Sequence, residues 1–348
     1  PSADTLQALR QAAESPRQEL IRRMNMAPGG TRGIVQLRAQ LLDELAAHPE
    51  LREVDADMHH LLSSWFNPGF LQLVRIDWDS PASLLEKLVR YERVHKMRQI
   101  EDMRRRLAAD RRCFAFFHPT LPDEPLIFVQ VALVTGIADK IQPLLDPQAP
   151  ILEPGAADTA IFYSISNCQE GLRGVTLGSF LIKLVVARLA AELPGIETFA
   201  TLSPVPGFAA WLAEARAGGG AVAGIDAAVL ATLDRPGWQE DEAAVEILRP
   251  ALAALGAHYL VRVKDRRGAR PRDPVARFHL GNGARLERID PLGDLSANGL
   301  AQSHGLLVNY RYDPASIEKN HEAYVATGEV AHASAVRRLL PEIQKVAA

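Results

Sequence analysis

Gln169-Glu-Gly-Leu-Arg-Gly-Val-Thr-Leu-Gly-Ser-Phe-Leu-Ile-Lys183 is the stretch that decides the fold. Just upstream, Ala160-Ile-Phe-Tyr-Ser-Ile-Ser166 alternates along its length and predicts a β-strand. Within and after it, Phe180, Leu181, Leu184, Val185 and Leu189 recur on one face of a helix predicted over Thr176 to Leu193. Glu197-Thr-Phe-Ala-Thr-Leu-Ser203 then predicts a second strand, stopped by Pro204 and Pro206. Strand, loop, helix, strand is an α/β or α+β unit. The loop of small residues runs straight into a helix start. Backbone N–H groups and the positive end of the helix dipole attract anions there, phosphates above all. The same residues also fit a glycine-containing turn before an ordinary helix.

Further upstream the pattern is helical. Leu6, Leu9, Ala12 and Ala13 share one helical face, and Val35, Leu37, Leu41, Leu42, Leu45 and Ala46 form another apolar stripe. Met26-Ala-Pro-Gly-Gly-Thr-Arg-Gly33 separates the two. Ser80-Pro81 predicts a helix start, and a basic helix is predicted from Leu88 to Leu107. No strand is predicted in this region. The expected organisation is an all-helical bundle over residues 1–108 and a mixed α/β domain over 109–348, α+β in class. In the second region Cys113-Phe-Ala-Phe-Phe117, Leu126–Val134 and Leu306–Tyr312 read as strands. Phe208–Arg216, Glu240–Leu255, Ser316–Thr327 and His332–Lys345 read as helices.

Composition narrows the function classes. The 348 residues are 47% hydrophobic and 23% charged, the balance of a globular chain. Thirty-nine Lys and Arg oppose 42 Asp and Glu, so neither nucleic acid nor an anionic membrane is an expected partner. Two cysteines, Cys113 and Cys168, are too few for a disulfide scaffold or a four-thiolate metal site, and a reducing, cytoplasmic setting is expected. His59-His60 lacks a third ligand at metal spacing, and His321-Glu322 lacks the second histidine of H-E-x-x-H. Two side chains stand out as chemical candidates. Ser203 ends a predicted strand, where ligands gather in open sheets, although a serine before proline also caps turns. His279 could act as an acid or base, or simply pack.

The pattern Arg173-x-x-Thr176-x-Gly178 resembles the pyrophosphate loop of the acetyltransferase (GNAT) superfamily, with Thr176 in place of one glycine. Taken with Phe162–Ser166, Leu202-Ser-Pro-Val-Pro-Gly-Phe208, Phe278-His-Leu280, Asn282-Gly-Ala284 and Asn309-Tyr-Arg-Tyr312, it resembles the malonyl-CoA decarboxylase family over most of residues 90–312. That resemblance implies a helical N-terminal domain followed by a GNAT-like acyl-CoA-binding domain. It implies decarboxylation of malonyl-CoA to acetyl-CoA and CO2 without metal or cofactor. The family's catalytic serine falls on Ser203 and its catalytic histidine on His279, both also substrate contacts, with Tyr312 near the site. The acyl-CoA loop falls on Arg173, Gly174, Val175, Thr176, Leu177, Gly178 and Ser179. Some relatives carry an acidic residue at the Thr176 position. In the mechanism expected from this, a thioester enolate forms and is protonated by the Ser203/His279 pair: Ser203 hydrogen-bonds the malonyl carboxylate or carbonyl and accepts or relays a proton, His279 protonates the carbanion and Tyr312 orients one of the two, with the division of labour between Ser203 and His279 left open by the sequence. The resemblance also implies a homo-oligomer, dimer or tetramer, assembled through the N-terminal helices. The competing expectations are an acyltransferase on the same kind of domain, which needs an acceptor, and a non-catalytic malonyl-CoA sensor.

Overall fold

The computed structural model describes residues 2–6, 15–175, 177–266 and 268–340. The chain forms two compact units that interleave along the sequence. One comprises Pro1–Lys96, Cys113–Val129 and Ile165–Leu184, the other Met97–Arg112, Gln130–Ser164 and Val185–Ala348.

In the first unit the described residues 3–6 are helical, and α1 (Pro16–Met26), α2 (Gly30–Glu44) and α3 (Arg52–Trp65) lie further along. Ser15 caps α1 by accepting the Arg17 N–H, and Pro16 occupies the first helical position. Asp57 on α3 accepts bonds from Ser15, Arg17 and Gln18 and so ties the start of α1 to α3. Ile34 and Val35 on α2 and Met58, Leu61 and Leu62 on α3 are buried; of the stripe expected from Val35 to Ala46 Val35 alone is buried, Leu41, Leu42 and Leu45 are half-buried, and Leu37 and Ala46 are exposed. Leu9, Ala12 and Ala13 lie outside the described residues.

Two expectations for this region fail. Gln72–Ile76 is a strand, β1, antiparallel to β2 (Arg111–Phe117) with Gln72 opposite Phe117 and Ile76 opposite Cys113. Of its five residues only Ile76 is buried, so the edge strand carries almost no alternation of its own and takes its form from the fully buried β2. The helix expected from Leu88 to Leu107 is also interrupted. Helix α4 (Ala82–Tyr91) ends where the Glu92 carboxylate accepts the N–H groups of Val94 at 2.8 Å and His95 at 2.9 Å. These local bonds replace the helical ones, and the helical path resumes only over the 3-10 turn Ile100–Asp102 and the short helix Met103–Arg106. Strands β1 and β2 are followed in the unit's sheet by β3 (Ile127–Val134) and β4 (Thr159–Asn167). Helix α5 begins at Gly178 and runs to Glu192.

In the second unit the strand order is β3, β4, β5 (Thr198–Thr201), β8 (Leu307–Arg311), β6 (Ser203–Pro204), with β7 (Arg285–Asp290) also paired to β8. β4 and β5 run parallel, as a strand–helix–strand connection requires, whereas β5, β6 and β7 are antiparallel to β8. The single strand expected over Glu197–Ser203 is thus two pieces around Leu202. Ala132, Ile141, Leu144, Ile161, Tyr163, Ala200, Leu202 and Leu307 form a core cluster. Helices α6 (Phe208–Arg216), α7 (Glu242–Val261), α8 (Pro274–Gly281) and α9 (Ile317–Thr327) belong to this unit, with shorter helices Gln142–Leu145, Ala227–Ala231, Ala297–Ser303 and Ser334–Leu339. The last eight residues lie outside the described part. The α+β class read from the sequence, helices first and a mixed sheet after, is the class the chain adopts.

Candidate active site

The start of α8 places the histidine. The buried Asp273 caps the helix by accepting the Ala276 N–H at 2.8 Å, and Pro274 follows at the first helical position. From that start Ala276, His279 and Leu280 share the inward face, three and four residues apart. Ser203 comes from β6, whose register on β8 pairs it with Val308. Tyr312 follows β8 directly, fixed by its N–H donating to the Phe199 carbonyl at 2.8 Å.

The three meet inside the second unit. Ser203 Oγ lies 3.1 Å from His279 Nε2, and Tyr312 Oη lies 2.8 Å from His279 Nδ1. Each is at most 5% exposed. Two further residues complete the cluster. Ser203 Oγ donates to Thr201 Oγ1 at 2.8 Å, and the Tyr310 N–H donates to the same oxygen at 3.1 Å. The Tyr310 ring stacks on the imidazole at 4.6 Å between centroids and 21° between planes. Burial pushes His279 down to about 3, so the ring is neutral throughout the working range. Burial likewise lifts the Tyr310 and Tyr312 phenols well above their ordinary value. The result is a buried chain of neutral hydrogen-bonding groups, able to hand a proton along from one to the next.

Of the residues brought together here, sequence reasoning singled out Ser203, His279 and Tyr312 and passed over Thr201 and Tyr310. A signal for Thr201 existed: two residues from Ser203 on extended chain, it shares that side chain's face.

The anion loop belongs to the first unit. Gly171 presses so closely on α2 that a Cβ there would meet the Val35 carbonyl oxygen at 1.8 Å. Arg38, on the same helix and 2% exposed, donates through Nη1 to the carbonyls of Gly171 at 2.7 Å and Arg173 at 2.9 Å. Its Nε donates to Asp55 at 2.8 Å. Gly174 has φ +84°, the left-handed region that a side chain disfavours, and Val175 and Leu177 are buried. Arg93, Ser166, Asn167, Glu170, Arg173 and Gly174 help line a cavity of about 400 Å³ in this unit. Glu170 pairs with both Arg93 and Arg173, the latter at 2.6 Å, and the Arg173 bond holds its carboxyl below the usual range. Both guanidinium side chains are more than half exposed. Thr176 and the side chains of Gly178 and Ser179 lie outside the described residues. The structure therefore brings Arg173, Gly174, Val175 and Leu177 to one cavity, while Arg38 and Glu170 are the partners that sequence reasoning missed. Among the described residues no group of His, Cys, Asp and Glu could hold a metal ion.

Comparison with known proteins matches residues 1–66 to the malonyl-CoA decarboxylase N-terminal domain and residues 69–348 to the malonyl-CoA decarboxylase C-terminal domain. The mitochondrial malonyl-CoA decarboxylase of Anser anser anser is 37% identical, over 94% of this chain and 69% of that protein. Among solved structures, malonyl-CoA decarboxylase from Rhodopseudomonas palustris is 53% identical with a TM-score of 0.92, over 97% of this chain and 82% of that one. That from Agrobacterium vitis is 50% identical with a TM-score of 0.93, over 98% and 84%.

Proposed function

The chain belongs to the malonyl-CoA decarboxylase family and is a carboxy-lyase, and from that premise we propose that Ser203 and His279 carry its conversion of malonyl-CoA to acetyl-CoA and CO2. The bond between the malonyl methylene carbon and its carboxylate breaks, CO2 leaves, and the electron pair passes into the thioester enolate. The new C–H bond takes the proton of Ser203 Oγ. His279 Nε2–H restores that hydroxyl, and a solvent proton restores the ring, so one proton is consumed per turnover. The neutrality of His279 fits this route: the ring acts as a neutral donor behind Ser203 rather than as an imidazolium acid. Ser203, His279 and Tyr312, buried and uncharged, offer the malonyl carboxylate no countercharge, which favours its loss as CO2.

The loop from Arg173 to Ser179 holds the coenzyme A pyrophosphate through backbone N–H groups at the start of α5, with Arg93 and Arg173 adding positive charge. The exposed apolar side chains of Leu20 and Met26 on α1 and Leu37 on α2 suit self-association into a dimer or tetramer. The two buried free cysteines suit a reducing, cytoplasmic setting.

The observation that carries this reading is the contact of Ser203 Oγ with His279 Nε2 at 3.1 Å in a buried neutral cluster. Incubating the pure protein with malonyl-CoA and no acceptor tests it. Acetyl-CoA and CO2 are expected in equal amounts. Malonyl-CoA bound and recovered intact would identify a sensor, and turnover only on adding an amine or alcohol would identify an acyltransferase.

A further inference from the structure

Thr201 is fully buried, and both its side chain and its backbone are held in place. Its hydroxyl oxygen accepts from Ser203 Oγ at 2.8 Å and from the Tyr310 N–H at 3.1 Å, and its carbonyl accepts from Asn309 Nδ2 at 2.7 Å. We infer that Thr201 is a positioning residue, whose hydroxyl oxygen accepts the hydrogen bond of the Ser203 O–H and so fixes the one proton of His279 on Nε2, directly behind Ser203.

The argument is a count of protons. Ser203 has a single O–H, and it points at Thr201. The 3.1 Å contact between Ser203 Oγ and His279 Nε2 then needs its proton from the ring. A neutral imidazole has only one, so Nδ1 is bare and accepts from the Tyr312 hydroxyl 2.8 Å away. The chain runs in one direction: Tyr312 donates to His279, His279 to Ser203, Ser203 to Thr201. Without the Thr201 oxygen, the Ser203 proton has the imidazole as its acceptor in this cluster. Nε2 becomes the bare nitrogen, and the ring proton moves to Nδ1, facing Tyr312 and away from Ser203. That second arrangement readies the serine as a nucleophile. The first keeps a proton in reserve for a hydroxyl about to give one up, which is what protonating an enolate requires.

The inference rests on the proposed role of the Ser203–His279 pair, and the experiment separates the two. The full chain is labelled with ¹⁵N-histidine, with His279→Asn identifying the His279 ring signals. Wild type, Thr201→Ser and Thr201→Val are compared by ring-nitrogen NMR and by steady-state kinetics on malonyl-CoA. Wild type and Thr201→Ser are expected to carry the proton on Nε2 and to differ in kcat by no more than about threefold. Thr201→Val is expected to move it to Nδ1 and to lose at least about tenfold in kcat, with KM little changed. A wild-type ring protonated on Nδ1, or a Thr201→Val ring unchanged from wild type, overturns the inference. If Thr201→Val does not fold, the wild-type and Thr201→Ser spectra still decide it. Undiminished turnover by Ser203→Ala would remove the catalytic reading instead, and would leave the ring assignment to stand or fall on its own spectra.

Discussion

Replacing Arg38 with methionine isolates what the helical region does for substrate binding. Methionine keeps much of the side chain's volume and removes every donor. Two bonds are lost to the loop, at the carbonyls of Gly171 and Arg173, and one to Asp55. A hydrogen bond from a charged donor contributes about 1.5–3 kcal/mol, so the two loop bonds together hold about 3 kcal/mol or more of the loop's order. In the variant, ligand binding must restore that order. About 3 kcal/mol taken from binding is roughly a hundredfold in Kd. Calorimetry with coenzyme A reads this directly, alongside kcat at saturating malonyl-CoA. A rise in Kd of roughly tenfold to a hundredfold is expected, with kcat within a few-fold of wild type because Arg38 takes no part in the Ser203 cluster. A lowered Tm with unchanged Kd would refute the reasoning, since Arg38 would then serve only helix packing.

Glu170→Gln frees Arg93 and Arg173 from a carboxylate that competes with phosphate. Coenzyme A should bind roughly twofold to tenfold tighter, an effect that shrinks with added salt, and weaker binding would reject this competition. Gly178→Asp puts a negative charge at the start of α5, where the pyrophosphate is placed, and should raise the coenzyme A Kd; an unchanged value by calorimetry would reject the loop assignment. Burial raises Asp273 to about 6, above its unfolded value of about 3.9. A raised carboxyl pKa contributes stability that is full below pH 4 and lost as pH rises through 6, here about 3 kcal/mol. Asp273→Asn keeps a side chain that can cap α8 and does not ionise, so its Tm relative to wild type should improve between pH 4.5 and pH 7.5. Parallel melting curves at the two pH values would show that this carboxyl is not the titrating group.

What could be read in the sequence was what local pattern encodes. The recurrence of Leu181, Leu184, Val185 and Leu189 announces α5, and the alternation before Gln169 announces β4. The features that escaped lie in pairings between distant residues. Arg38 looks like any arginine on an amphipathic helix, and its partners are backbone carbonyls 133 and 135 residues away, which have no sequence signature. β1 was missed because an edge strand with one buried residue depends on its neighbour for its conformation. Glu92 ends α4 through its own side chain, a contest between local and helical hydrogen bonds that residue periodicity does not register.

Turnover of malonyl-CoA by folded Ser203→Ala, followed as acetyl-CoA and CO2 released together, bears most directly on the proposed chemistry. Removing the hydroxyl 3.1 Å from His279 Nε2 should lower kcat by about 10²- to 10⁴-fold and leave KM within a few-fold of wild type. A kcat close to that of the wild type would place the proton transfer elsewhere and contradict the account.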